Sequence, residues 1–229
     1  MAQTANENTP RIERIPCGTG NCFIVSQDGS AILVDTATPG HKNKILEACR
    51  GKNIRLIVLT HGHYDHTQNA AFLSGALGVP VAMHPADIPL LRDMAHEPML
   101  PTDFTSACLV TMLKLSRNPF FRRIFFFMNV KPFEPAVLLH EGFSFTEYGI
   151  AASVIALPGH TQGSVGIVTE DSLIAGDALT NLFAPGKAAL YSDEGAMLES
   201  AEKAATLGDV TVYVGHGKPM KNRDWQKGL

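Results

Sequence analysis

The sequence reads Thr60-His61-Gly62-His63-Tyr64-Asp65-His66-Thr67 directly after the apolar run of residues 54–59. In an extended turn, His61 and His63 project to the same side, and Asp65 and His66 follow where the chain enters a helix. Histidine nitrogens and carboxylate oxygens suit zinc, and also iron or manganese, when no thiolate is offered. This stretch therefore predicts a metal site at the end of a buried strand.

The second half of the sequence offers three further donors, each where a predicted strand ends in a turn. They are His160 in the turn after residues 152–157, Asp177 after residues 172–175, and His216 after residues 210–214. A glycine beside each donor lets the backbone turn sharply and leaves the side chain free to face a common centre. Each donor alone also fits a capping aspartate or a hydrogen-bonded histidine. Together with the first cluster, the three favour a shared metal centre.

Length and composition bound the other properties of the chain. A chain of 229 residues with 45% hydrophobic content can bury one sizeable core, which predicts a single domain over residues 1–229. A net charge of −3 without a dense basic stretch disfavours nucleic acid as a partner. Residues 1–10 are polar and lack the apolar region of a signal peptide, so we expect a cytoplasmic protein. The cysteines form no CxxC pair and are expected to be reduced: Cys17, Cys22, Cys49 and Cys108.

Two strand-rich halves, each with helices, indicate an α+β fold with two sheets packed face to face and helices outside. In the first half, strands are predicted over residues 11–15, 22–26, 31–34, 55–59 and 79–83, with helices over residues 41–50 and 65–77. In the second half, strands are predicted over residues 137–139, 143–146, 152–157, 164–169, 172–175 and 210–214, with a helix over residues 193–207. The expected architecture is a four-layer αββα sandwich of two mostly antiparallel or mixed sheets, with a helical insertion.

The insertion spans residues 85–136, and within it residues 103–115 and 118–128 predict two short apolar helices. We interpret this hairpin first as a lid that offers an apolar acyl pocket over the metal site, alone or combined with a homodimer interface through residues 103–128. Plain core packing is the second interpretation. Contact with a membrane surface is the third and is disfavoured, and the segment is too short and interrupted to span a bilayer.

The sequence resembles the metallo-β-lactamase-fold hydrolase superfamily, whose HxHxDH signature matches residues 61–66. The resemblance covers residues 12–84 and 137–219. It implies one metal ion held by His61, His63 and His160, a second held by Asp65, His66 and His216, and Asp177 as the bridging ligand. Asp35 matches the first-strand aspartate of the family, which is expected to orient a ligand rather than to bind metal.

The same resemblance implies a function for the site. Two divalent ions, with zinc favoured and iron or manganese as alternatives, lie about 3.5–4 Å apart in such centres and lower the pKa of a shared water towards 7. The expected reaction is hydrolysis of an ester, thioester or lactone by a metal-bridging hydroxide. Asp65 would accept a hydrogen bond from the nucleophile or shuttle a proton. A mononuclear iron enzyme of the sulfur dioxygenase type is the alternative, and a non-catalytic binding protein ranks third because no ligand is missing.

Differences from known subfamilies indicate a branch within the superfamily. Asp177 stands where several β-lactamases carry a cysteine or a serine, and a bridging aspartate is similar to the sites of glyoxalase II and lactonases. Quorum-quenching lactonases carry a tyrosine three residues beyond that aspartate, where this chain has Thr180. Thr180 is a departure from the lactonase pattern, whereas the bridging aspartate agrees with it. From that aspartate we expect a glyoxalase II or lactonase-like enzyme, and we expect it to act on a small molecule with an apolar acyl part.

Overall fold

A computed structural model of the chain describes residues 9–94, 96–104, 106–107, 110–111 and 130–226. The strands of its first half are β1 (Arg11–Cys17), β2 (Gly20–Gln27), β3 (Ser30–Val34), β4 (Ile54–Val58), β5 (Val81–Met83), β6 (Leu100–Pro101) and β7 (Val137–Leu138). Those of its second half are β8 (Ser153–Ala156), β9 (Val165–Val168), β10 (Ser172–Gly176), β11 (Leu179–Thr180), β12 (Gly186–Lys187), β13 (Leu190–Tyr191), β14 (Thr211–Val214) and β15 (Met220–Lys221). The α-helices are α1 (Lys42–Cys49), α2 (Tyr64–Thr67), α3 (Ala70–Leu77), α4 (Glu194–Ala205) and α5 (Asn222–Trp225).

The strands form two mixed sheets and two small strand pairs. The first sheet has the order β1-β2-β3-β4-β5-β7, antiparallel from β1 to β3 and parallel from β3 to β7. The second sheet has the order β15-β14-β10-β9-β8, in which only β10 and β14 run parallel. The small pairs are β11 with β12 and β6 with β13. This arrangement brings the carboxyl ends of β10 and β14 side by side.

Three apolar layers hold the sheets and helices together. The layer between the sheets includes Phe23 and Val25 of the first sheet and Ile167 and Ile174 of the second. Ile24, which lies between the first two along β2, instead joins the layer beneath α1 and α3, because successive strand residues point to opposite faces. A third layer packs the second sheet against α4 and α5. The four-layer αββα sandwich expected from the sequence is therefore confirmed.

Two local predictions were wrong. The helix expected over residues 65–77 is divided into α2 and α3, because the Asn69 side-chain amide donates to the carbonyl oxygens of Thr36 and Thr38, both at 2.7 Å. Asparagine often exchanges helical hydrogen bonds for such contacts. The strand expected over residues 143–146 is reduced to one bridge between Ser144 and Ser153. The chain turns away there because the fully buried Phe145 leads into a 3₁₀ turn, Thr146–Tyr148.

Most of the predicted helical hairpin lies outside the described residues, as does most of the proposed dimer interface at residues 103–128. At the start of the insertion, the described part contains a 3₁₀ helix, Pro85–Leu91, and the strand β6. Cys17, Cys22 and Cys49 are buried and are not in disulfides. Among the described helices, none has the length and apolar character needed to cross a membrane.

Candidate metal centre

Every predicted donor lies just beyond the carboxyl end of a strand in one of the two main sheets. The loop after β4 carries the HxHxDH residues and continues into α2, so that Asp65 and His66 lie on its first turn. His160 follows β8, Asp177 follows β10 directly, and His216 follows β14. The donor side chains therefore come from the strand ends of both sheets and lie in one region.

The structure brings all seven predicted donors together. Their ligand atoms form three overlapping groups, and in each group all atoms lie within 4.8 Å of one another. The groups are His61, His63 and His160; His61, His66 and Asp177; and Asp65, His66 and His216. The Asp177 carboxylate lies between these groups, 3.7 Å from His160 Nε2, 3.5 Å from His66 Nε2 and 3.2 Å from His216 Nε2.

Two buried atoms of this cluster fit a bound cation. His61 Nε2 and Asp177 Oδ1 are inaccessible to solvent and make no hydrogen bond within the described part of the chain. Buried polar atoms are costly when they have no hydrogen-bond partner. A nitrogen and a carboxylate oxygen are suitable ligands for zinc, iron or manganese. The donor set present is therefore the one that such an ion requires.

The outward-facing nitrogens of four histidines are held by other groups, which leaves each Nε2 free to face the cluster. The partners of Nδ1 are Thr60 Oγ1 at 3.0 Å for His61, Asp35 Oδ2 at 2.9 Å for His66, the Leu190 carbonyl oxygen at 2.7 Å for His160, and the Thr19 carbonyl oxygen at 3.1 Å for His216. Such contacts fix the tautomer and the ring orientation of a ligating histidine.

Asp35 lies at the end of β3, fully buried and with a φ of 60°. Its carboxylate accepts hydrogen bonds from the Thr60 backbone N–H at 2.8 Å and from the Thr60 hydroxyl at 2.9 Å, in addition to its contact with His66. It belongs to none of the three donor groups. This is the placement that the sequence predicted for a residue that orients a ligand.

The sequence of the chain also matches a known family. A family model for the metallo-beta-lactamase superfamily matches residues 15–216. The chain belongs to this superfamily. The match begins in β1 and ends at His216, so it includes all seven donors. The family resemblance inferred from the HxHxDH signature is therefore confirmed.

The chain is also similar to individual proteins and solved structures. A hydroxyacylglutathione hydrolase of Alkalilimnicola ehrlichii is 28% identical over 219 residues, which cover 92% of this chain and 67% of the relative. The crystal structure of the B3 metallo-beta-lactamase BLEG-1 matches with a TM-score of 0.70 at 23% identity, over 93% of this chain and 95% of that one. TTHA1623 in a di-iron-bound form matches with a TM-score of 0.65, at the same identity and coverage. The two structures show that this chain has the same fold, and its relatives include a hydroxyacylglutathione hydrolase.

The electrostatic environment divides the seven donors of this superfamily member into two classes by their protonation state. Burial lowers the pKa of His63 to about 3, and burial also lowers the pKa of His61 and His160, so all three imidazoles are neutral at neutral pH. Burial opposes ionisation of Asp65 and Asp177, but the nearby imidazoles of His66 and His216 outweigh it and lower the pKa of both carboxyls. The neutral imidazoles and ionised carboxylates are ready to bind a cation.

His66 and His216 behave differently because they face carboxylates. Burial opposes protonation of His66, yet Asp177 and Asp35 outweigh burial and raise its pKa to about 9. Asp177 likewise outweighs burial at His216 and raises the pKa of that imidazole well above its usual range. In chelator-treated protein these two histidines carry protons at neutral pH, and a cation must displace those protons in order to bind.

We therefore expect metal affinity to rise with pH, as far as the pKa of about 9 at His66. Below that pKa, protons compete with the metal for His66 and His216, so the metal that binds to their donor set releases protons. Titration of chelator-treated protein with zinc at about pH 6.5, 7.5 and 8.5 measures the affinity, and calorimetry in buffers of different ionisation enthalpy counts the protons. An affinity that is constant over this range would contradict the assignment of these histidines as ligands.

Sequence reasoning missed one charged group beside the centre. Asp87, in the 3₁₀ helix Pro85–Leu91, is fully buried and accepts hydrogen bonds from Gly62 N–H and Thr161 Oγ1, both at 2.7 Å. Burial raises its pKa to about 6, against the opposing effect of these hydrogen bonds. The signal in the sequence was a single aspartate within the apolar run of residues 86–91, which the interpretation of residues 85–136 as an insertion obscured.

Proposed function

We propose that this protein is a hydrolase of an ester, thioester or lactone that uses two divalent metal ions. The observation that carries the proposal is the position of the Asp177 carboxylate between two sets of donors. One set consists of His61, His63 and His160, and the other consists of Asp65, His66 and His216. A carboxylate in this position is suited to hold two cations close together.

Each set of donors would hold one metal ion, with Asp177 shared between them. When bound, two such ions polarise a carbonyl group and lower the pKa of a bound water to about 7. The residues themselves contribute neutral imidazoles and ionised carboxylates without further proton loss, except at His66 and His216. Zinc suits this all-nitrogen and oxygen set, and iron and manganese remain compatible with it.

Asp65 is the residue that we assign to proton transfer. Its side chain is 29% exposed, compared with 15% for Asp177, so the attacking water can reach it more readily. Its Oδ2 lies 3.3 Å from His216 Nε2, and nearby His66 and His216 keep the carboxyl ionised by lowering its pKa. An ionised carboxylate in this position can accept a hydrogen bond from the water and orient it, and it would hold a transferred proton only in passing because its pKa is low.

Two exposed apolar side chains on segments linked to the metal-binding loops support a substrate with an apolar acyl part. Phe183 is 83% exposed and follows Asn181, whose backbone N–H donates to the His216 carbonyl oxygen at 3.0 Å. Phe104 is 85% exposed and follows β6. The strand β6 pairs with β13, and the Leu190 carbonyl oxygen of β13 accepts a hydrogen bond from His160. Single exposed apolar residues are common on protein surfaces. Here one residue lies on a segment hydrogen-bonded to the His216 loop, and the other follows a strand paired with the strand that holds His160, so we assign both as contacts for an acyl chain.

Phe183→Ala is expected to raise KM for an octanoyl ester or thioester about tenfold and to leave hydrolysis of the acetyl analogue within twofold, since it removes apolar contact area and touches no ligand. Steady-state kinetics on the two substrates measure the difference. Phe72→Ala is the matched control, because Phe72 is also partly exposed but lies on α3 in the outer helix layer. Equal losses on both substrates would show that Phe183 does not select for chain length.

Metal analysis of protein purified without added metal tests the function itself. About two zinc, manganese or iron ions per chain, together with hydrolysis of a simple ester that a chelator abolishes, support the two-metal hydrolase. About one iron per chain, with oxygen uptake in the presence of a persulfide and no ester hydrolysis, would overturn it and establish the mononuclear iron alternative.

A further inference from the structure

Asp87 ties together two loops that come from different sheets. Its Oδ2 accepts hydrogen bonds from the Gly62 backbone N–H and from the Thr161 hydroxyl, both at 2.7 Å. Its Oδ1 accepts a hydrogen bond from the Gly163 backbone N–H at 2.6 Å. Gly62 lies between two predicted ligands, and Thr161 follows a third directly. One carboxylate therefore contacts both loops that supply His61, His63 and His160.

The chain leaves room for this carboxylate by having glycine at both backbone contacts. A Cβ on Gly163 would lie 2.5 Å from Asp87 Oδ1, and a Cβ on Gly62 would lie 2.9 Å from the Asp87 carbonyl oxygen and 2.8 Å from Leu90 Cβ. Neither glycine has a left-handed backbone conformation, so close approach and not backbone strain explains them. The 3₁₀ helix that carries Asp87 is thus packed directly against the two loops.

We propose that Asp87 is a positioning residue that holds His61, His63 and His160 in the arrangement needed for one of the two metal ions. The proposal rests on the two-metal function given above. Asp87 itself is absent from the donor groups among the described residues, so it acts through the loops. The two histidines of the other donor set are oriented by different groups, because His66 is held by Asp35 and His216 by the Thr19 carbonyl oxygen. The proposed effect is therefore selective for one metal.

Asp87→Asn tests this with little change in volume. An amide has one accepting oxygen and one donating nitrogen, and the three groups around Asp87 all donate, so the Asn nitrogen meets a donor in either orientation. We expect the affinity for one metal ion to fall by about 10- to 100-fold and the affinity for the other to change by less than about threefold. Titration of chelator-treated protein with cobalt(II), followed by its visible absorption, resolves the two binding events.

Two reference variants identify which metal is weakened. His63→Ala removes a ligand from the first donor set, and His216→Ala removes a ligand from the second. The cobalt spectrum of Asp87→Asn at limiting metal is expected to match that of His63→Ala and to differ from that of His216→Ala. A residue with only a structural role would not shift the spectrum towards one of the two references.

Gly163→Ala provides an independent variant if Asp87→Asn does not fold. It retains the carboxylate but displaces it, and we expect the same selective loss of one metal. Gly75→Ala is the matched control for this change, because a Cβ on Gly75 has no neighbour within 4 Å. Asp224→Asn is the control for the charge change, since Asp224 accepts a backbone hydrogen bond from Lys221 in the C-terminal segment.

The outcomes separate this proposal from the proposed function. If the wild-type protein binds two metals and hydrolyses an ester while both Asp87→Asn and Gly163→Ala keep both affinities, the role of Asp87 is refuted and the function stands. Equal weakening of both metals in the two variants also refutes the positioning role. A wild-type protein that binds fewer than two metals refutes the two-metal function instead.

Discussion

Asp177→Ala is expected to reduce bound metal from about two ions per chain to one or none and to lower kcat/KM for hydrolysis by about 10³-fold or more, equivalent to about 4 kcal/mol of transition-state stabilisation. The reason is the position of its carboxylate, within 3.7 Å of the Nε2 atoms of His66, His160 and His216. Removal leaves these histidines without the shared anion, and His66 and His216 repel each other when protonated. Metal analysis after desalting and ester hydrolysis measure the two losses.

Asp171→Asn is the matched control for this variant, because Asp171 lies next to the opposite end of the same strand, β10. Its carboxylate accepts a hydrogen bond from the Ser172 hydroxyl at 2.8 Å, and it belongs to none of the described donor groups. We expect this variant to keep both metals and full activity. An Asp177→Ala protein that retained two metals and wild-type hydrolysis would disprove the bridging assignment.

Asp35→Ala is expected to lower the free energy of unfolding by about 3 kcal/mol or more and to weaken metal binding by about 10- to 100-fold. The variant leaves the Thr60 N–H, the Thr60 hydroxyl and His66 Nδ1 without their buried acceptor. Unpaired buried donors are costly, and His66 loses the contact that orients its ring. Urea unfolding of chelator-treated protein gives the first effect, and zinc titration gives the second.

Part of the loss at Asp35 will come from its backbone, because its φ of 60° is unfavourable for alanine. Asp28→Ala isolates this contribution, since Asp28 has a φ of 47° but lies exposed in the turn between β2 and β3. We expect its effect to stay below about 1 kcal/mol and to leave metal affinity unchanged. If the two variants were equally destabilised, the buried contacts of Asp35 would contribute little.

Most of the larger elements could be predicted from the sequence because their signals are local. The apolar runs of β2 and β4 depend only on neighbouring residues, and both strands were found with ends shifted by one or two positions. The strands β6, β11, β12, β13 and β15 were not predicted, because two residues are too few to show periodicity. They pair with partners distant in sequence or across a loop, and that pairing defines them.

Most of the candidate site could also be predicted from the sequence, because its signals are local. The HxHxDH residues are dense enough along the chain to stand out, and a turn after a strand indicated His160, Asp177 and His216. Asp87 was not predictable, because its neighbours in sequence are apolar and its three donors lie at Gly62, Thr161 and Gly163. Its role depends entirely on contacts between segments remote in the chain.

The αββα class, the superfamily and the residue types able to bind metal all follow from the order of residues along the chain, since residue chemistry and local periodicity act between neighbours. The packing of the fold places His61 and His216 in one centre and Asp177 between two donor sets. It also places Asp35 and the Leu190 carbonyl oxygen where they accept hydrogen bonds from the rings of His66 and His160. These features arise from the packing of two sheets, which brings strand ends together across about 150 residues and buries polar atoms where each needs a partner.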